Sequence, residues 1–395
     1  MLLDVRSQQE QLDAICILSG SVASRTAKQP IVVVLFRQDA GAPRGWSVVD
    51  HFVLAQPGRW GFGAGPGRYA VAAFEDRSRD LVYQPGESYG LLAFDRPLEC
   101  VPGARLRDLA LTIPEKVTEP FPQALDIPKL QARSAEGQLQ ATLGGMTATG
   151  ELASLSDPRF AAQKAEDGLW RPFDFLVESR AGVYFLEPYD PARIPVLFVH
   201  GINGTPANFE YLIGRLDRSR YQAWVYYYPS GVHLASIADH LDQTMSKLQL
   251  RHRVQRFAVV AHSMGGLVSR GFILRHARNV PASRVPLFIT ISSPWGGHNA
   301  AALGVKTSPV VVRVWEDMAP GSAYQRSLFS EPLPSALHHH LLFTYADETV
   351  SMASQLLPPA QREAVKMYGF EETHMGVLRN PQVSDLVNQL LGAAL

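Results

Sequence analysis

A serine, an acid and a histidine in the right order can together move an acyl group, and this chain carries one such set. Ser263 stands in A-H-S-M-G-G (261–266), directly behind the apolar run 257–261. Ahead of it lies 264–276, where Leu267, Val268, Gly271, Phe272 and Leu274 recur at helical spacing. The run reads as a strand buried on both faces, and almost no loop separates it from the helix, so Ser263 falls at the corner. Such a corner strains the serine's backbone and lifts its hydroxyl above the sheet. It needs small residues two before and two after, here Ala261 and Gly265. The first N–H groups of the new helix then point to where negative charge would develop.

A serine hydroxyl is a poor nucleophile at neutral pH and needs a base held by an acid. On a sheet of this kind these follow the serine in the order acid, then histidine. Asp347 lies in "HLLFTYADETVSMASQL", just past an apolar strand, and His374 lies in "VKMYGFEETHMGVLRNP", between the last strand and the last helix. Glu348 is the nearest competitor for the acid and Asp317 a remote one. His262 leaves its strand in a different direction from Ser263, and His338, His339 and His340 precede a strand, at the wrong end of the sheet. The blander alternatives are a helix-capping Ser263, a turn or N-cap Asp347, and a surface-loop His374. A second stretch, "IPVLFVHGINGTPANFEYL", ends an apolar strand at His200-Gly201. Acyl transfer needs two converging N–H donors, assigned here to the backbones of Ile202 and Met264, with Gly201 and Gly204 letting the chain bend. No GxxxxGK[ST] or GxGxxG follows, which argues against a phosphate loop.

These residues need a sheet to hold them. From about 170 the pattern gives a hairpin (174–179 with 182–188), then alternating strands and helices. Strands are expected at 194–200, 222–228, 256–262, 286–292, 340–346 and 363–369, and helices at 206–217, 234–250, 264–278 and 381–392. Alternation at this spacing means a mostly parallel sheet covered by helices on both faces, with chemistry at the strands' carboxyl ends. The excursion 293–335 is expected as a cap insertion, with Trp295, Val310, Val311, Val312, Trp315 and Met318 forming an apolar underside. Residues 15–100 read as a small all-β domain, with β-rich runs at 30–36, 45–55 and 68–76 divided by turn clusters. The expected division is therefore 15–100, a proline-containing connector 101–165, and 166–395.

Composition narrows the functions. The 395 residues are 46% hydrophobic, enough for sizeable cores, and Lys plus Arg equals Asp plus Glu at 37 each. That balance argues neither for nucleic acid nor for an anionic membrane surface as a partner. The two cysteines, Cys16 and Cys100, are too few for a disulfide framework, and no metal-like cluster appears. The N-terminus shows no basic region followed by a long apolar core, so the chain is expected to be unexported as given. A longer product with a periplasmic or membrane-associated location stays open.

Taken as a set, "VLFVHGINGTPANF", "VVAHSMGGLVSR", "ITISSPWGGHNAA", "YADETVSMAS" and "HMGVLRNP" resemble the α/β-hydrolase superfamily. They come closest to bacterial lipases and lipase-like esterases, including the relatives of GPI inositol-deacylase. Ala261 departs from the usual first glycine, and "YADE" departs from a glycine before the acid. The piece "GPGRYAVAAFED…DLVYQPGE" resembles transthyretin-like or carboxypeptidase-regulatory β-sandwich modules, read here as a packing domain. The resemblance implies an α/β-hydrolase fold behind a small all-β domain and a Ser263–Asp347–His374 triad. It also implies an oxyanion hole at Ile202 and Met264, with no cofactor and no metal. The expected substrate is a hydrophobic acyl ester, with peripheral membrane contact left open and no protein partner readable. Acyltransferase, thioesterase or amidase chemistry on the same site is the first alternative, and a non-catalytic binding protein using the β domain is the second.

Overall fold

The computed structural model describes residues 2–25, 29–115, 121, 125–127, 147–281 and 284–395. A helix, Leu2–Asp13, leads into β1 (Cys16–Ser24), β2 (Ile31–Gln38), β3 (Trp46–Leu54), β4 (Gly58–Ala64), β5 (Gly67–Glu75), β6 (Tyr89–Leu92), β7 (Leu98–Cys100) and β8 (Arg105–Ile113). They form two facing sheets, β4-β1-β8 and β3-β2-β5-β6, with β7 also on β5. All pairs are antiparallel except β1 with β8. Ile31 to Phe36 form an unbroken apolar run because β2 is covered on both faces. Ile31, Val33 and Leu35 face the other sheet, while Val32, Val34 and Phe36 face a second cluster that includes Leu250 of the following domain. Asp50 of β3 meets Lys247 of the helix Leu234–His252 across this seam, N to O 3.7 Å, both side chains buried.

Two expectations change here. Cys16 and Cys100 are joined in a disulfide, with their Cα atoms 5.7 Å apart. The packing of β1 and β7 from the two facing sheets brings together two cysteines that the sequence separates by 84 positions. The connector is also shorter than 101–165: β8 extends the β domain to Ile113, and β9 (Ala148–Leu152) already belongs to the second sheet. The remaining connector prolines at 120, 122 and 128, and the first half of the Gly/Thr-rich stretch 143–150, lie outside the described residues.

The second sheet adds β10 (Gly182–Phe185), β11 (Ile194–Val199), β12 (Tyr221–Tyr227), β13 (Ala258–His262), β14 (Leu287–Ile291), β15 (His338–Thr344) and β16 (Ala364–Phe370) to β9. Its order is β16-β15-β14-β13-β11-β12-β10-β9, parallel throughout except between β10 and β12. The helices Leu234–His252 and Met264–Asn279 cover one face, and Pro381–Ala394 with the short helix Glu210–Gly214 covers the other. This is an α/β-hydrolase fold behind a small all-β domain. The chain leaves β11 for β12 on one side and returns to β13 on the other, so the strand order reverses at β11. Ligand crevices of open α/β sheets form at that point, outside the carboxyl ends of the strands.

The expected hairpin at 174–188 is not formed. Pro172 opens a helix, Pro172–Ser179, in a first-turn position that suits its fixed φ. β10 then pairs with β12 and β9 instead. The excursion 293–335 holds three short helices, Asn299–Thr307, Arg313–Met318 and Ala323–Leu328. Five of the six apolar residues expected on its underside turn into the body instead: Trp295, Val312 and Met318 are buried in the main core, with Val310 and Trp315 against it. The carbonyl of Val311 accepts from Gln9 and Arg313 pairs with Asp13, which ties the excursion to the N-terminal helix.

Burial also sets the acid response of the fold. His200 and His240 are pushed down to about 4, and His262 and His339 to about 3, in each case first by burial. An unfolded histidine titrates near 6.5, so below that pH the unfolded chain binds protons that the native chain refuses. Stability from this source is complete above about pH 6.5 and declines toward the folded values, by up to about 1.4 kcal/mol per pH unit for each histidine. Thermal unfolding followed from pH 7 to pH 4 is expected to show Tm falling continuously; a flat Tm between pH 6.5 and 4.5 would contradict it.

Candidate active site

Ser263 occupies the corner between β13 and the helix Met264–Asn279 with φ 54° and ψ −131°, a conformation that L-residues rarely adopt. The surroundings hold it there. Its N–H donates to Ile291 O at 2.8 Å, and its carbonyl accepts from Gly266 at 3.0 Å. A Cβ on Gly265 would stand 2.3 Å from Val199 O, and one on Gly266 would stand 2.1 Å from Ser293 Oγ. Only glycines let the helix enter this close to the ends of β11 and β14.

The loop after β11 lies directly against the serine. A Cβ on Gly201 would come within 2.7 Å of Ser263 Cβ and 3.1 Å of its Oγ. Tyr228 fixes this loop: its hydroxyl donates to His200 O, and its ring stacks on the His200 imidazole at 4.1 Å. Asn203 N–H donates to Ser230 Oγ at 3.0 Å, and Thr205 with Asn208 closes the turn into the next helix. Among the described residues the N–H groups of Ile202 and Met264 have no acceptor, as expected for a loop amide and a first helical position.

Asp347 and His374 meet. β15 and β16 are neighbours in the sheet, and the loops leaving them set His374 Nδ1 to donate to Asp347 Oδ2 at 2.8 Å. The Asp347 side chain is 1% exposed, and its carboxylate is fully subscribed. Oδ2 also accepts from Thr344 Oγ1 at 2.8 Å and Gln355 Nε2 at 3.2 Å, while Oδ1 accepts from the N–H groups of Thr349 and Val350. Burial alone would push this carboxyl up. The His374 hydrogen bond, the Val350 N–H and the remaining donors outweigh it and hold Asp347 below the usual carboxylate range. With His374 Nδ1 committed to Asp347, Nε2 is left as its other ring nitrogen. Neither that nitrogen nor Ser263 Oγ makes a hydrogen bond within the described residues, and such contacts often tighten only around substrate.

His262 joins the two halves. Its Nε2–H donates to His374 O at 2.9 Å, and the two rings lie 4.6 Å apart. The residue next to Ser263 thus holds the loop that carries His374 and stays neutral. Asp317 is engaged elsewhere: it accepts from Leu234 N–H and faces His233, at the start of the helix Leu234–His252. Glu348 is exposed. His338, His339 and His340 lie at the entry of β15, with His339 bonded to Thr290.

Sequence reasoning missed Thr344, Gln355 and Tyr228. Each is a neutral side chain acting through another group, so neither charge nor motif marks it; only the fold brings Gln355 back onto the acid eight positions before it. Among the described residues no group of His, Cys, Asp and Glu is arranged to hold a metal ion.

Residues 192–320 match a family model described as "Putative serine esterase (DUF676)", which is less than half of the chain. No curated protein sequence matches. Among solved structures, lipase B of Aspergillus fumigatus is 16% identical with a TM-score of 0.43, over 54% of this chain and 56% of that one. The chain therefore spans about half the length of that lipase. The mature lipase BlEst2 of Bacillus licheniformis is 15% identical with a TM-score of 0.42, over 53% and 97%. Phospholipase PlaB of Legionella pneumophila is 21% identical with a TM-score of 0.32, over 38% and 39%. The sheet order and the corner at Ser263 carry the fold without these likenesses. From β9 to the C-terminal helix the chain is an α/β-hydrolase domain, and its stretch 192–320 is similar to a serine esterase family.

Proposed function

We propose that the protein is a serine hydrolase of carboxylic esters, with Ser263 as nucleophile, His374 as base and Asp347 as the acid that orients it. The observation that carries this reading is the strained Ser263, set against Gly201 on one side and, through His262, against the Asp347–His374 pair on the other. In the reaction, Ser263 Oγ attacks the ester carbonyl while His374 Nε2 takes its proton. The N–H groups of Ile202 and Met264 receive the charge that develops on the carbonyl oxygen. His374 returns the proton to the departing alcohol, leaving an acyl group on Ser263. It then takes a proton from water, whose oxygen attacks the acyl carbon, and finally gives that proton back to Ser263 as the acid departs. Asp347, ionised and buried, keeps Nδ1 protonated throughout.

A hydrophobic acyl group is the favoured substrate. Tyr345 (59% exposed) is two residues from Asp347, Met375 (47%) is next to His374, and Met352 (49%) opens the short helix that follows the Asp347 loop. These apolar side chains around the acid and base loops fit a lipid ester or a membrane surface better than a small polar ester. No described helix is long and apolar enough to cross a membrane. The Cys16–Cys100 disulfide favours an oxidising compartment.

Titration with a serine-reactive alkyl phosphonate, followed by peptide mapping, tests the reading. One label per chain, on Ser263, with hydrolysis of p-nitrophenyl esters blocked in proportion, is the expected result. Adding an alcohol acceptor during turnover separates hydrolysis from acyl transfer by product. No label and no turnover would overturn the proposal in favour of a binding protein.

A further inference from the structure

Along the seam between the two domains lies a half-open cavity of about 250 Å³. The β domain and its leading helix supply Leu12, Ile15 and Ile17; the hydrolase domain supplies Leu176, Val232 and Ile237. Tyr226, at the carboxyl end of β12, and Tyr228, just past it, also line the cavity. The cavity thus opens at the same end of the sheet as Ser263.

Most of the polar groups on its walls already have partners, and Ser236 stands exposed at the rim. Thr147 Oγ1 stands 2.9 Å from His240 Nε2, His240 Nδ1 stands 2.9 Å from Tyr226 Oη, and Tyr226 O–H donates to Ile237 O at 3.0 Å. Tyr228 O–H donates to His200 O, Arg313 pairs with Asp13, and Arg105 donates to Ile15 O at 2.7 Å. His240 is held neutral by burial, so this chain has one consistent set of proton positions. A cavity whose polar groups are mostly engaged and whose remaining walls are largely apolar offers water few partners and suits an apolar occupant. Its volume lies just under the usual range of about 300–1,000 Å³ for small-molecule sites, which fits one chain or ring rather than a whole lipid.

We propose that this cavity binds a single unbranched apolar chain and that the β domain exists in part to build its outer wall. The site is coupled to the catalytic loop through Tyr228. One face of that residue's environment is the cavity, and its hydroxyl and ring hold His200, whose neighbour Gly201 lies against Ser263. The chain could come from the acyl group of the substrate or from a separate amphiphile. The coupling rests on the proposed role of the Ile202 loop; the binding does not.

The test is calorimetric titration of the Ser263→Ala protein with decanol, an uncharged probe. Ile17→Trp and Val232→Trp, placed on opposite walls in that background, fill the cavity; Val101→Trp, 58% exposed, is the control for an added indole. Circular dichroism confirms that each variant folds. Decanol is expected to bind the parent and the control alike and each filled variant at least about tenfold more weakly. No binding to the parent, or equal binding to the filled variants, overturns the proposal. Binding by the Ser263→Ala protein, with no ester turnover by the protein that keeps Ser263, would refute the hydrolase reading alone. In the enzyme with Ser263 intact, the two sources part. If the chain belongs to the substrate, Ile17→Trp shifts the preferred ester to shorter acyl groups. If it belongs to a separate amphiphile, decanol changes turnover of the acetate ester without competing with it.

Discussion

Ser263→Ala is expected to lower kcat/KM for p-nitrophenyl butyrate by about 10⁴- to 10⁶-fold, the range seen when a nucleophile of this kind is removed and only the oxyanion donors and binding remain. The same change should leave stability nearly untouched, because Ser263 Oγ makes no hydrogen bond within the described residues. The backbone supplies a sharper contrast. With φ 54° and ψ −131°, a residue carrying Cβ is strained by about 1–3 kcal/mol, and glycine adopts the conformation freely. Glycine also gives back about 0.5–1 kcal/mol through the greater freedom of the unfolded chain. Ser263→Gly should therefore be as inactive as Ser263→Ala yet unfold at a higher temperature. Activity within tenfold of wild type in either variant removes Ser263 from the chemistry. A glycine variant no more stable than the alanine variant would show that the corner is unstrained.

The parts of this site that the sequence exposes are those with local causes. An apolar run ending in A-H-S-M-G-G announces a tight strand-to-helix corner on its own, although its two glycines matter through contacts with the ends of the neighbouring strands β11 and β14. Asp347 and His374 were found because strand ends are predictable and acids and histidines are scarce there. Contacts that depend on distant pairing were not legible. Residues 174–179 carry apolar side chains that suit a strand or a helix; Pro172 and the docking of β10 between β9 and β12 decide for the helix. β9 itself lies more than thirty positions before β10's end and is followed by two helices. The disulfide needed β1 and β7 brought together, and nothing around either cysteine announces it. The excursion looked like a lid because its apolar content is real, but an apolar residue does not say which surface it covers. Trp295 covers the body, packed against His339 and Phe329.

Asp347→Asn should lower kcat by about 10⁴-fold with little change in KM, and the reason lies in how the carboxylate is clasped. Oδ1 receives two backbone N–H groups, from Thr349 and Val350, which cannot reverse their polarity. An asparagine must keep its carbonyl oxygen there, so its NH₂ is driven into the place of Oδ2. That place faces His374 Nδ1, Thr344 Oγ1 and Gln355 Nε2. Thr344 can turn its hydroxyl round to accept. His374 can accept only by moving its proton to Nε2, the nitrogen that must be free to take the proton of Ser263. The substitution thus fixes the base in the wrong tautomer while changing almost no volume. Gln355 is pinned as well, since its Oε1 accepts from Thr344 N–H, so its NH₂ meets another NH₂ and some stability is lost. Glu348→Gln, at an exposed neighbour with no such partners, should stay within about twofold of wild type, as surface changes usually do. If instead Asp347→Asn keeps kcat within tenfold while Glu348→Gln loses it, the acid is Glu348, and the loop must rearrange around substrate to present it.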